Sequence, residues 1–170
     1  GLKFINIPAG SFDMGSNDGD DDEKPVHRVR VKAFLMSETE VTVGQYRKCV
    51  EAGRCSEPRT GGRCTWGGSD DHPINCVDWG QARTFAVWVG GDLPTEAQWE
   101  KAARGGCELG TDSTKCDPED LRSYPWGSDT PSCELANHQL STSGLPTLCV
   151  SNTVLSTDLS TGTGPYGHHH

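Results

Sequence analysis

Along the first third of the chain apolar and polar residues alternate, and then the period changes. In "LKFINIPAGSFDMGS" (2–16) the chain alternates and turns like an opening strand pair, with Phe4, Ile5, Ile7, Phe12 and Met14 as the inward positions. "VHRVRVKAFLMSE" (26–38) sets Val26, Val29 and Val31 against His and Arg, the pattern of a half-buried strand. Between them "NDGDDDEK" (17–24) is a charge run, read as a loop.

Three helix starts follow, written in one grammar. Thr42 with Gln45 opens "TVGQYRKCVEAG", Asp78 with Gln81 opens "DWGQARTFAVWVGG", and Thr95 with Gln98 opens "TEAQWEKAARGG". Each sets an oxygen-bearing cap three residues before a Gln, the capping-box spacing, and each runs into Gly: Gly53, Gly90, and the pair Gly105–Gly106. Tyr46, Cys49 and Val50 share a face of the first helix. Trp79, Ala82, Phe85, Ala86 and Val89 share one in the second, and Trp99, Ala102 and Ala103 in the third. Glu100 and Arg104 are spaced to pair. After Gly106 no amphipathic period is visible, and Ser, Thr, Gly and Pro dominate. The five tryptophans, Trp66, Trp79, Trp88, Trp99 and Trp126, are expected in the core.

Composition narrows the reading. At 170 residues with 33% apolar positions, 21 Gly and 10 Pro, loops are expected to outweigh regular structure. His168–His170 read as the start of a purification tag, leaving 1–167 as a single domain. The net charge of −9 argues against nucleic acid as a partner, because such binding needs clustered Lys and Arg. No apolar run reaches the ~20 residues needed to span a bilayer.

The eight cysteines include no C-x-x-C pair, so disulfides in an extracytoplasmic protein (secreted, periplasmic or cell-surface) are the expectation. Eight cysteines allow about a hundred connectivities. Cys107–Cys116 and Cys133–Cys149 are expected pairs, each closing a short polar loop.

Seven segments in order, "IPAGSFDMGS" (7–16), "KPVHRVRVKAFLMSETEVTVGQYRKCV" (24–50), "HPINCVDWGQARTFAVW" (72–88), "LPTEAQWEKAARGG" (93–106), "YPWG" (124–127), "ELAN" (134–137) and "GPYG" (164–167), resemble the formylglycine-generating enzyme or sulfatase-modifying factor family. The resemblance implies an α+β, C-type-lectin-like fold, loop-rich, with few short strands and two to three short helices. It also implies copper-dependent oxidation of a cysteine in a client sulfatase.

Family members usually continue after "PYG" into a D-M-x-G-N-V-W-E-W-like segment and a part bearing two redox cysteines. The domain is therefore expected to be C-terminally incomplete, without a counterpart of the catalytic pair. A second polypeptide or the missing C-terminal segment would complete it. Asp92 stands where the family usually has Arg before "LPTE". Iron enzymes of the ergothioneine type share the fold but take His ligands from an added helical domain not seen in this sequence.

The resemblance implies a Ca2+ site at Asn137 and the main chain of His138, although the following loop, 141–152, lacks the expected Asp and Ca2+ favours six to eight oxygens. The alternative for Asn137 is an Asx turn. Asp18, Asp20, Asp21, Asp22 and Glu23 lack the EF-hand order, so a solvated loop is expected there. His27 and His72 are expected as structural or surface residues.

No residue is assigned a catalytic role. The expected function is a non-catalytic or truncated domain, binding or structural, with a protein or peptide ligand. The alternatives are a copper-dependent sulfatase-cysteine oxidase and a diversified lectin-like display protein.

Overall fold

Three capping boxes set the helical frame. The computed structural model describes residues 1–110 and 122–130, together with the backbone of 139–142 and 145–148. Helix α1 spans Val43–Glu51, α2 Trp79–Trp88 and α3 Glu96–Arg104. Thr42, Asp78 and Thr95 each accept the backbone N–H of the Gln three residues on, at 2.8 to 3.3 Å. Each Gln side chain accepts the N–H of its cap in return, at 2.8 to 3.0 Å. Two otherwise orphaned donors are thus satisfied at every start. Gly53, Gly90 and Gly105 close the helices at φ of 66°, 92° and 87°, values that strain any residue with a Cβ.

The strands are β1 (Phe4–Ile7), β2 (Gly10–Met14), β3 (His27–Val31), β4 (Phe34–Ser37), β5 (Gln139–Thr142) and β6 (Leu145–Leu148). They form three two-stranded sheets among the described residues: β1 with β4, β2 with β3, and β5 with β6. Two expectations are corrected here. The opening strands β1 and β2 exist but do not pair with each other. Five residues of β2 instead match five of β3 antiparallel, with Phe12 opposite Val29 and Asp13 opposite Arg28. Arg28 sends Nε and Nη2 to the two oxygens of Asp13, a cross-strand ion pair that favours this register. The segment 26–38, expected as one strand, breaks after Val31 into β3 and β4, each with a different partner. The β5–β6 pair lies where the sequence pattern showed no period; Gln139 stands opposite Leu148.

The chain divides into two compact units. In the unit containing Gly1–Lys3 and Ser37–Leu93, the core is Tyr46, Cys49, Cys55 and Phe85, with Val41, Val50, Trp66, Ile74 and Val77 packed on it. Tyr46 stacks on Phe85 at 5.5 Å between centroids, and Trp66 meets Tyr46 edge-on at 6.0 Å. The Tyr46 hydroxyl donates to Ser56 O at 3.1 Å. Burial, and then the charge of Asp78, pushes its phenol above the ordinary value. On α2 the expected face is only partly realised. Phe85 is buried, whereas Trp79 is 68% exposed, and Trp88, also expected in the core, reaches the surface with Val89. The helix is seated by Phe85 and by Gln81, whose Nε2 donates to Ser56 Oγ and Glu57 O, both at 3.0 Å. Trp79 lies instead under the Arg83 guanidinium, 5.6 Å from the ring centroid.

In the unit containing Phe4–Met36 and Pro94–Thr130, Ile7, Phe12, Val31, Ala102, Ala103 and Cys107 are buried together with Lys101. The expected core position Trp99 is 58% exposed, because α3 turns Lys101 inward beside Ala102. Lys101 Nζ donates to Pro8 O at 2.7 Å and pairs with the Glu108 carboxylate. A Cβ on Gly106 would stand 2.6 Å from Glu108 Oε2, so the second glycine of the stop serves space where the first serves φ. The expected Glu100–Arg104 pair forms at 2.7 Å, and Glu100 Oε1 also accepts Gly15 N at 2.9 Å.

Candidate functional site

The head of α1 opens onto a cavity of about 400 Å3, lined among others by Lys3, Glu38, Thr42, Gln45, Lys48 and Asp70. Its residues come from three short stretches. Lys3 approaches through a backbone bond, Glu38 N to Lys3 O at 3.0 Å, and its ammonium lies 3.9 Å from Glu38. Thr42 and Gln45 are the capping-box pair, and Lys48 follows one turn later. Asp70 belongs to the loop 65–75, which Cys64 and Cys76 close with a disulfide.

That loop is fastened along the helix. Gly44 N donates to Asp70 O at 2.9 Å and Val43 N to His72 O at 2.8 Å, so loop carbonyls satisfy two of the four free donors of the first turn. Arg47 sends Nε and Nη2 to Asp70 Oδ1 at 3.1 and 2.9 Å, and its guanidinium lies 5.0 Å from the Trp66 centroid. At the neck, Thr65 N donates to Asn75 Oδ1 at 2.7 Å and Asn75 N to Thr65 Oγ1 at 3.1 Å. The cleft presents both signs of charge on a wall pinned to α1.

Disulfides, expected from the sequence, are present. Cys49 pairs with Cys55 and Cys64 with Cys76. Cys107 is also disulfide-bonded, to a partner outside the described residues. Of the expected pairs Cys107–Cys116 and Cys133–Cys149, the residues Cys116, Cys133 and Cys149 lie outside the described residues, and so do the Ca2+ ligands Asn137 and His138. The acidic residues Asp18, Asp20, Asp21, Asp22 and Glu23 are all exposed. Among the described residues no group of three or more His, Cys, Asp or Glu is placed to hold a metal. His27 lies on β3 with Nδ1 3.0 Å from Pro25 O, and His72 is half-buried, contributing its carbonyl to α1.

The sequence pattern missed the Arg47–Asp70–Trp66 assembly and both observed disulfides. One signal was available: Cys49 and Cys55 straddle the predicted helix stop at Gly53.

A loop-rich α+β frame of short strands and short capped helices defines a domain of the C-type-lectin-like, formylglycine-generating type. Residues 2–155 match the Sulfatase-modifying factor enzyme 1-like domain, and the chain belongs to that family. It is 30% identical over 170 residues to the formylglycine-generating enzyme of Streptomyces coelicolor, a match covering 74% of this chain and 50% of that protein. Over 165 residues it is 28% identical to the hercynine oxygenase of Mycolicibacterium smegmatis, covering 78% and 36%. A 32% identity over 120 residues links it to the serine/threonine-protein kinase Pkn1 of Chlamydia trachomatis, covering 61% and 20%. The chain spans half or less of the length of these relatives.

Two solved structures share the fold. PvdO from Pseudomonas aeruginosa superposes with a TM-score of 0.59 at 23% identity, covering 91% of this chain and 64% of that one. CarF gives 0.54 at 22%, covering 92% and 74%. Among the described residues no helix is long and apolar enough to cross a membrane.

Proposed function

We propose that this chain is a binding or structural module of the formylglycine-generating-enzyme type and does not itself carry out the oxidation. The observation that supports this reading is the state of the cysteines. Cys49, Cys55, Cys64, Cys76 and Cys107 are all disulfide-bonded, so none of them offers the thiolate that Cu(I) requires. The described residues therefore do not fit a copper centre. The cleft at the head of α1, lined by Lys3 and Lys48 as well as Glu38 and Asp70, suits a peptide carrying both charges.

The test is incubation of the chain with copper and a peptide containing the Cys-x-Pro-x-Arg sequence, followed by mass analysis of the peptide. No aldehyde is expected; conversion of the cysteine would overturn the reading. The second reading, a copper-dependent sulfatase-cysteine oxidase, is favoured by the 30% identity to a formylglycine-generating enzyme and gives the opposite result in that assay. In that reading the thiolates come from residues other than these five.

Calcium at Asn137 and the main chain of His138 belongs to the same proposal. A melting temperature that falls on addition of chelator supports it, and an unchanged one removes it. An oxidising, extracytoplasmic compartment is proposed on the strength of the disulfides.

A further inference from the structure

We infer that the Cys64–Cys76 disulfide is a thiol-sensitive clasp, and that its opening releases the 65–75 loop from the head of α1 and widens the cleft. This goes beyond the binding reading, because it concerns control of the cleft's wall and not what the cleft holds.

The two fully described disulfides sit in different surroundings. Cys49 and Cys55 are 0% and 8% exposed and lie in the aromatic core with Tyr46 and Phe85. Cys64 and Cys76 are only half-buried. Thiol–disulfide exchange requires an attacking thiolate to reach a sulfur, so access ranks the pairs. Cys76 has φ of 57°, the one positive value among the described non-glycine residues. An L residue is strained there, and release of the bond lets that strain relax.

What the bond closes is also particular. Its ends are 12 residues apart, and between them lie the groups that engage α1: Trp66 under Arg47, Asp70 on Arg47 and Gly44, and His72 on Val43. Freed of the bond, the loop regains chain entropy; the exposed Arg47–Asp70 pair sets little against that gain, and what opposes release is the packing of Trp66 and Ile74 on the core. The Thr65–Asn75 hydrogen bonds at the neck keep the two thiols near each other, so oxidation can restore the closed form.

The reductant is a dithiol. One of its thiolates attacks Sγ of Cys64 or Cys76, the other cysteine leaves as a thiolate, and a mixed disulfide forms. The second thiol of the reductant then displaces the first cysteine. Two electrons and two protons pass to the pair, and the reductant leaves as a disulfide.

The experiment is stepwise reduction with dithiothreitol, trapping with iodoacetamide, and peptide mapping alongside amide hydrogen exchange. Cys64 and Cys76 should be labelled while Cys49 and Cys55 remain paired. In that partly reduced protein the Val43 and Gly44 amides should exchange about tenfold faster or more, with the interior of α1 unchanged. Labelling of Cys49 and Cys55 first or together with the others would overturn the inference. So would unchanged exchange at Val43 and Gly44, or faster exchange throughout the protein. The double variant Cys64→Ser, Cys76→Ser should show the same two fast amides without reductant, and protected amides in it would count against the clasp. Should that variant not fold, the trapped wild-type protein decides.

Discussion

Arg83 grips Asp92 with both arms of its guanidinium, Nε to Oδ1 at 3.0 Å and Nη2 to Oδ2 at 3.1 Å. The residue before "LPTE" that reverses the charge usual in the family thus has its own cation one helix earlier. The Arg83 hydrogen bonds, and then the N–H of Leu93, hold the Asp92 carboxyl below its ordinary value. A carboxylate depressed in the folded state stabilises above the unfolded value, and that contribution is lost as pH falls through the folded one. Asp92→Asn is therefore expected to lower the melting temperature slightly at pH 7 and to leave it unchanged in strong acid. Paired thermal melts at the two pH values check this. A difference that persists in acid would show that the pair acts through something other than this charge.

The capping box of α3 offers a cleaner energy. Thr95 Oγ1 accepts Gln98 N at 3.3 Å, and removing an N-cap hydroxyl typically costs about 1 kcal/mol. Thr95→Ala should shift the urea midpoint accordingly, while Glu96→Ala, one residue on and outside the box, should shift it less.

Lys101 is the buried charged side chain among the described residues. Its side chain is fully buried against Glu108, and breaking a buried pair by removing one partner costs about 3–5 kcal/mol. Lys101→Met is expected to fall in that range by denaturant unfolding. Combining it with Glu108→Gln should recover much of the loss, because the second change removes the charge left in the core. A double variant no more stable than the single one would contradict the ion-pair account.

Tyr46 separates hydrogen bonding from packing. Tyr46→Phe leaves the ring stack on Phe85 and deletes the bond to Ser56 O, a loss of about 1 kcal/mol. Tyr46→Ala removes the ring between Trp66 and Phe85 and should cost about 3–5 kcal/mol. Equilibrium unfolding of the two variants gives the split.

The helices were legible because their instructions are local. Thr42, Asp78 and Thr95 sit three residues from the glutamines they bond, and each stop is a glycine within the same dozen residues. Strand partners were not legible, since β1 and β2 are neighbours in sequence yet find β4 and β3 across longer separations. Trp79 and Trp99 were misplaced for a different reason. Periodicity names a helical face by hydrophobicity, but α3 buries Lys101 and α2 leaves Trp79 beneath Arg83. The cleft could not be read at all, because Asp70 and Arg47 are joined through a loop whose disulfide has no spacing signature.

The end of α1 does more than stop a helix. Gly53 N returns to Val50 O at 2.8 Å, and Arg54 N and Cys55 N both reach Cys49 O, at 3.0 and 3.2 Å. That turn folds the chain back so that Cys55 meets Cys49. Among the pairings open to eight cysteines, the one between Cys49 and Cys55 thus joins two residues that the stop of a single helix already sets side by side.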